Sequence, residues 1–295
     1  MNRLAAALAA GALAVGVAVT GCGPAAFSHV VAEQTDPSDS PDFNGDLTDE
    51  SVPVAPQGAA VPQSNPDTSN PQTVESYLTD IVADAHKVWA DYFKRLGLEE
   101  PRVTYTIISP GHAPVESRCA NPGEPPLVVS TDTKNAFYCP ADEREAGFRG
   151  AIYLPVITMQ QMWTGTVLGQ PSKQGGDFAA AIITAHEFGH HIVDELRLQY
   201  QAKGFTYPEP TAPWDELIAD CMAGVWAASA YQSGYLDASD FAEAEAALEA
   251  IGDAPGDPGD HGTPEQRVQA LRTGYFGTGE YGPAEPFACT STYWR

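Results

Sequence analysis

The sequence predicts an α+β domain: a small sheet with one helix, followed by a helical C-terminal part. Short β-branched segments cluster between Arg102 and Val156, and helix-period segments dominate from Asp177 onward. A third observation sets the N-terminal limit. From Gly23 to about Gln72 the chain is rich in Pro, Ser, Asp, Asn and Gln and carries no Lys or Arg.

The first residues read as an export signal. Arg3 is followed by an apolar run, Leu4 to Val19, too short and too quickly followed by polar sequence for a comfortable membrane span. The run ends Val19-Thr20-Gly21-Cys22, which resembles a bacterial lipobox. That resemblance implies a lipoprotein signal peptide at residues 1–21 and lipid attachment at Cys22. The competing reading is an ordinary secretory signal with Cys22 a bystander, and either reading exports the chain. Residues 22–72 read as an acidic, Pro/Ser-rich disordered tether, because they cannot bury enough apolar surface to offset their ordering entropy. Residues 73–295 then form one domain of ordinary size.

Helix spacing relates Val74, Tyr77, Leu78, Ile81, Val82, Val88, Trp89 and Phe93, and Leu96-Gly97 closes that element. Arg102–Ser109 alternates and is β-branched, so it predicts a strand, with shorter strand-like pieces at Leu127–Ser130, Ala136–Cys139 and Ala151–Val156. Asp177, as N-cap, opens a long helix that runs to about Gln201. Further helices are expected from Trp214 to about Tyr231, from Asp240 to Ile251, and from Pro264 to about Thr273, the last with Pro in its first turn.

With 15 basic and 39 acidic residues the formal charge is −24. Such a surface repels nucleic acid phosphates and anionic headgroups, so nucleic acid is excluded as a partner and membrane attachment must come through the lipid on Cys22. Removing Cys22 leaves Cys119, Cys139, Cys221 and Cys289, an even number in an exported chain, with three possible pairings. The favoured pairs are Cys119–Cys139, closing a hairpin-sized loop, and Cys221–Cys289, fastening the C-terminal tail to a helix. Thiolate zinc ligation is the weaker reading, since no pair has CxxC spacing.

The chemistry concentrates in the Asp177 helix. His186-Glu187-Phe188-Gly189-His190 is an HExxH pattern, which random placement yields in about one such chain in a hundred, so it needs support. His186 and His190 are one turn apart on one face and can bind one Zn²⁺, with Glu187 placed as general base. The run preceding them is apolar almost all round, which predicts a buried helix whose polar groups need partners. Val193 and Leu196 stand where a metzincin would have Gly and a third His, so that extension is absent. Glu216 supplies a third ligand from the next helix, and Asp220, four residues on along the same face, can accept the outer N–H of a ligating imidazole. Ala219, Ala223 and Gly224 keep that helix slim enough to approach the metal helix. His191 lies about 100° away and is assigned to packing or an outer hydrogen bond.

HEFGHH, followed by ELIADCMAG and by HGTPEQR at His261–Arg267, resembles the bacterial putative neutral zinc metallopeptidase family, whose members are gluzincin-like. Phe137–Pro140 with Asp142, ahead of Ile152–Leu154, is similar to the strand pair that flanks the site in that family. The likeness extends over about residues 73–292. It implies a zincin-like metallopeptidase domain with His186, His190 and Glu216 as zinc ligands and Glu187 as base. One departure is the segment Glu143–Ala151, longer than the tight turn expected there.

The expected function is a zinc-dependent endopeptidase with one Zn²⁺ per chain, displayed on the extracytoplasmic face of the cell membrane and acting on peptide or protein substrates. Peptide hydrolysis would use a metal-activated water with Glu187 as base, helped at the oxyanion by His261 or Tyr231, and a peptide would add to the edge of Ala151–Val156. The competing class is a non-catalytic zinc-binding envelope lipoprotein acting as a binding or assembly factor. An amidase acting on cell-wall peptides shares the first chemistry and differs in substrate.

Overall fold

A computed structural model describes residues 71–295 apart from 121–122, 168, 235, 237 and 255–260. The signal peptide, Cys22 and the tether up to residue 70 lie outside the described residues. Helix α1 (Pro71–Arg95) comes first, then strands β1 (Thr104–Ile108), β2 (Val115–Ser117), β3 (Leu127–Val129), β4 (Phe137–Cys139) and β5 (Ala151–Pro155). Helix α2 (Val156–Trp163) and the two-residue strands β6 (Thr166–Val167) and β7 (Gln170–Pro171) lead into α3 (Asp177–Ala202). Helices α4 (Trp214–Gln232), α5 (Ala238–Ile251), α6 (Pro264–Phe276) and α7 (Pro286–Tyr293) complete the chain. The expected order of a small sheet before a helical part is the observed one, and the domain is α+β.

Helix α3 is the axis of the molecule. Its first half, Phe178 to Ala185, is buried on every side, which the continuous apolar run requires. Helices α1, α2, α4 and α5 and strand β4 all pack against it. Its start departs from the expected cap. Gly176 occupies the N-cap position and Asp177 is already helical, without a side-chain cap. The acceptor comes instead from α5, where Glu243 Oε2 takes the Phe178 N–H at 3.1 Å. An external carboxylate does the capping job because the helix N-terminus attracts any nearby anion.

The main sheet has the order β1-β5-β4, with β1 parallel and β4 antiparallel to β5. Strand β5 is fully buried, as its unbroken apolar sequence demands. This corrects one expectation: a peptide cannot add to Ala151–Val156, because both edges of β5 are paired. The free edge beside α3 is that of β4. The long segment between β4 and β5 leaves the hairpin in register, Phe137 opposite Tyr153 and Cys139 opposite Ala151. Asp142 anchors it, accepting the Arg118 N–H at 3.0 Å and the Tyr153 hydroxyl at 2.6 Å.

Both favoured disulfides are present, Cys119–Cys139 bracing the β4 end of the sheet and Cys221–Cys289 joining α4 to α7. Closing loops of 20 and 68 residues' separation restricts the unfolded chain by about 3 and 4 kcal/mol respectively in the chain-entropy account. Helices α4 and α6 approach until a Cβ on Gly224 would lie 2.1 Å from Leu271 O, and one on Gly274 would lie 1.9 Å from Cys221 O. Gly224 therefore serves the α4–α6 contact and not, as expected, the approach to the metal helix. Ala219 faces that helix: a Cβ on Gly189 of α3 would meet Ala219 O at 2.5 Å. Helices this close must use residues without side-chain bulk at the crossing.

Candidate metal centre

Three side chains converge where α3 and α4 cross. His186 and His190 face each other, with their Nε2 atoms 3.1 Å apart and ring planes inclined at 85°. Glu216, in the first turn of α4, brings Oε2 to 3.2 Å from His186 Nε2 and Oε1 to 3.6 Å from His190 Nε2. His186 and Glu216 are buried. Glu216 Oε2 is shielded from solvent and has no hydrogen-bond partner among the described residues.

This geometry fits a metal better than it fits a hydrogen-bonded cluster. Donors at roughly 2.0–2.1 Å from a tetrahedral Zn²⁺ lie about 3.3 Å from one another. The three observed separations bracket that figure. Two imidazole nitrogens pointing at each other can share at most one proton, and a buried carboxylate oxygen without a donor is costly. A cation between them satisfies all three. The donor set, two imidazoles and one carboxylate with no fourth ligand grouped with them among the described residues, has the chemistry of an open zinc site.

The surrounding shell fixes the ligands. Asp220 Oδ1 accepts the Nδ1–H of His186 at 2.7 Å, which leaves the His186 Nε2 lone pair directed at Glu216 and His190. Asp220 is fully buried and is held in turn by Arg267, whose Nε and Nη2 donate at 2.7 and 2.9 Å. Arg267 Nη2 also lies 3.5 Å from Glu216 Oε2. Arg267 belongs to α6, which starts with a capping box formed by Thr263 and Gln266. Its role went unread in the sequence, although the HGTPEQR stretch containing it was singled out. An arginine 47 residues after its partner Asp220 gives no spacing signal.

Glu187 follows His186 on α3, is buried, and feels the charges of His186, Glu216 and Arg267. Its Oε2 accepts the backbone N–H of Tyr138 at 2.8 Å, which ties the carboxylate to the free edge of β4. Burial, followed by the neighbouring Glu216 charge, outweighs His186 and raises the Glu187 pKa to about 8. Burial opposes the charge on His186, but Asp220 and Glu216 overcome it and lift its pKa to about 10. Burial is the larger influence on His190 and pushes it down to about 4. Glu216 and Asp220 are both lowered: burial opposes ionisation, and the facing imidazoles and Arg267 outweigh it.

The other expected residues lie elsewhere. His261 Nδ1 pairs with Asp253 Oδ2 at 2.6 Å, and the same carboxylate accepts the His261 N–H at 2.9 Å. Tyr231 is half exposed beside Tyr275, with ring centroids 6.0 Å apart. It is fifteen residues beyond Glu216 along α4, about 22 Å at 1.5 Å per residue, so it cannot reach the ligands. His191 is a packing residue, its Nε2 3.1 Å from Pro101 O and its ring 5.5 Å from that of Tyr138.

Comparison with known proteins assigns the chain to a family. A model of the family described as "Putative neutral zinc metallopeptidase" matches residues 43–287, beginning inside the stretch that composition reads as tether. The uncharacterized protein YpfJ of Escherichia coli (strain K12) is 27% identical over 227 residues, 70% of this chain and 69% of that protein. The uncharacterized protein Rv2575 of Mycobacterium tuberculosis (strain ATCC 25618 / H37Rv) is 36% identical over 95 residues, 31% of this chain and 27% of that protein. No solved structure matches significantly. With the family model covering most of its length, the chain belongs to the family described as "Putative neutral zinc metallopeptidase".

Proposed function

We propose that this protein is a zinc-dependent endopeptidase in which His186, His190 and Glu216 hold one Zn²⁺ and Glu187 acts as general base. The observation that carries this reading is the convergence of the His186 and His190 Nε2 atoms and the buried Glu216 carboxylate, at 3.1–3.6 Å from one another. A bound Zn²⁺ would supply a Lewis acid for the scissile carbonyl and acidify a water molecule. Glu187, anchored by the Tyr138 N–H beside His186, would take the proton of the attacking water and return it to the leaving amine.

Strand β4 supports a mode of peptide binding. The Tyr138 N–H points away from β5 to reach Glu187, so the Tyr138 carbonyl faces the same open edge. An extended peptide pairing with this edge passes directly beside the candidate base. Asp220 and Arg267 orient His186 without touching the peptide. His261 has no contact with the ligand triad among the described residues, and a part in oxyanion stabilisation would require it to leave Asp253. Display on the extracytoplasmic face through lipid on Cys22 completes the proposal and is supported by the sequence of residues 1–22.

Metal analysis of the purified chain together with casein digestion tests the reading. One zinc per chain is expected in the wild type and less than a tenth of that in His186→Ala or Glu216→Ala. Proteolysis should disappear on chelation and return with Zn²⁺. A chain that holds zinc at these residues yet cleaves no peptide is a binding protein, and this proposal is then wrong.

A further inference from the structure

Strand β4 is three residues long, and its side chains alternate across the sheet. Phe137 and Cys139 join the small apolar cluster around Tyr153, whereas Tyr138 alone of the three belongs to the main core with α3. Tyr138 meets α3 at three places. Its N–H donates to Glu187 Oε2 at 2.8 Å, its ring centroid lies 5.5 Å from that of His191, and its hydroxyl donates to Asp194 Oδ2 at 3.1 Å. Glu187, His191 and Asp194 are four and then three residues apart, so they form a stripe along one face of the helix, about 10 Å long at 1.5 Å per residue. The far contact is itself fixed, because Arg197 Nη2 donates to the other Asp194 oxygen at 2.6 Å. Gly150 closes on the same ring: a Cβ there would lie 2.5 Å from a Tyr138 ring carbon and 2.7 Å from its hydroxyl oxygen. The Gly150 carbonyl accepts the Thr104 hydroxyl at 3.0 Å, and its φ of +68° suits glycine, so this neighbour is held in place from β1.

The Tyr138 N–H is the one hydrogen bond that Glu187 makes among the described residues. It lies on the unpaired edge of β4, where β5 restrains the strand from one side only. We infer that Tyr138 is the positioning residue of the candidate base, its side chain gripping α3 so that its N–H holds the Glu187 carboxylate in place. A carboxylate that must meet a water at hydrogen-bond distance tolerates little displacement, and a misplacement of about 1 Å can cost roughly 100-fold in rate. Asp194 and Gly150 belong to the same device because they hold the tyrosine. The inference rests on the endopeptidase reading for its effect on turnover, whereas the hold on the N–H is measurable without it.

Zinc-loaded full chains test this. Tyr138→Phe removes the hydroxyl bond to Asp194 and keeps the ring. Its kcat should fall at least fivefold, with KM within twofold of wild type and zinc content unchanged. On a Glu187→Gln background the same substitution should cost less than twofold, because a residue acting through the base has nothing left to position. Phe137→Leu, on the other face of β4, controls for general loosening of the sheet and should leave kcat within twofold. Hydrogen exchange of the residue-138 amide, followed by NMR, reads the hold directly: at least tenfold faster in Tyr138→Phe than in wild type, and not in Phe137→Leu. An unchanged kcat in Tyr138→Phe, an undiminished loss on the Glu187→Gln background, an equal loss in Phe137→Leu, or wild-type amide exchange in Tyr138→Phe overturns the inference. Faster exchange confined to Tyr138→Phe, in a chain that cleaves no peptide, upholds the positioning and defeats the endopeptidase reading instead.

Discussion

At the scale of single residues, the centre depends on a relay of buried charges. Arg267 and Asp220 are both fully buried and neutralise one another, and Asp220 orients His186. Removing one member of such a pair leaves the other desolvated and unpaired. Arg267→Ala should therefore destabilise the fold by about 3–5 kcal/mol, read by chemical denaturation. Asp220→Asn, which keeps shape but weakens the hold on the His186 N–H, should lower zinc affinity roughly 10–100-fold in competition with a chelator. Asp220 was legible because it sits one turn from Glu216 on a single face. Arg267 was not, because its link to the site is made only by the packing of α6 on α4.

A second buried acid gives a pH prediction. Asp84 of α1 accepts the Trp226 indole N–H at 2.9 Å, while its other oxygen has no hydrogen-bond partner among the described residues. Burial raises its pKa, against the opposing pull of Trp226 and Lys87. An acid whose folded pKa is raised favours folding when protonated, and that advantage is lost as pH rises from its ordinary value through the raised one. Asp84→Asn should thus melt higher than wild type at pH 8, and the difference should vanish near pH 3.5. A constant difference across that range would contradict the assignment.

At the scale of elements, the decisive contact is the crossing of α3 and α4. Gly189 stands against the backbone of Ala219, one turn beyond Glu216. A methyl group at Gly189 must push α4 away and carry Glu216 with it. Gly189→Ala is expected to cost about 1–3 kcal/mol in stability and to reduce zinc binding, with the helical circular dichroism unchanged. Metal titration of the variant checks this. Both helices were readable because they are long, apolar and periodic, and their observed ends agree with the expected ones to within a residue or so. Strand β5 was readable as a strand, but its place between β1 and β4 depends on long-range pairing that alternation cannot reveal. Helices α2 and α7 went unread for another reason: each is eight residues long, and so short an apolar run carries no clear period. Asp177 looked like an N-cap because the acceptor that caps α3 comes from α5, more than sixty residues away.

For the molecule as a whole, α1, β4 and α4 pack on α3, and α6 and α7 pack in turn on α4. Cys221–Cys289 ties the last helix to the one that bears Glu216. Replacing both cysteines by alanine should remove about 2–5 kcal/mol and lower the melting temperature by roughly 5–15 °C for a domain of this size. The cysteine count made this pairing readable in advance, since the four cysteines besides Cys22 have only three ways to pair.

The central claim is that Glu187 moves the proton while His186, His190 and Glu216 hold the metal. Turnover of one peptide substrate by wild type and by Glu187→Gln, each shown to contain one zinc per chain, tests it most directly. A loss of at least about 100-fold in kcat at equal zinc content is the predicted result. Equal turnover by the two proteins would contradict it.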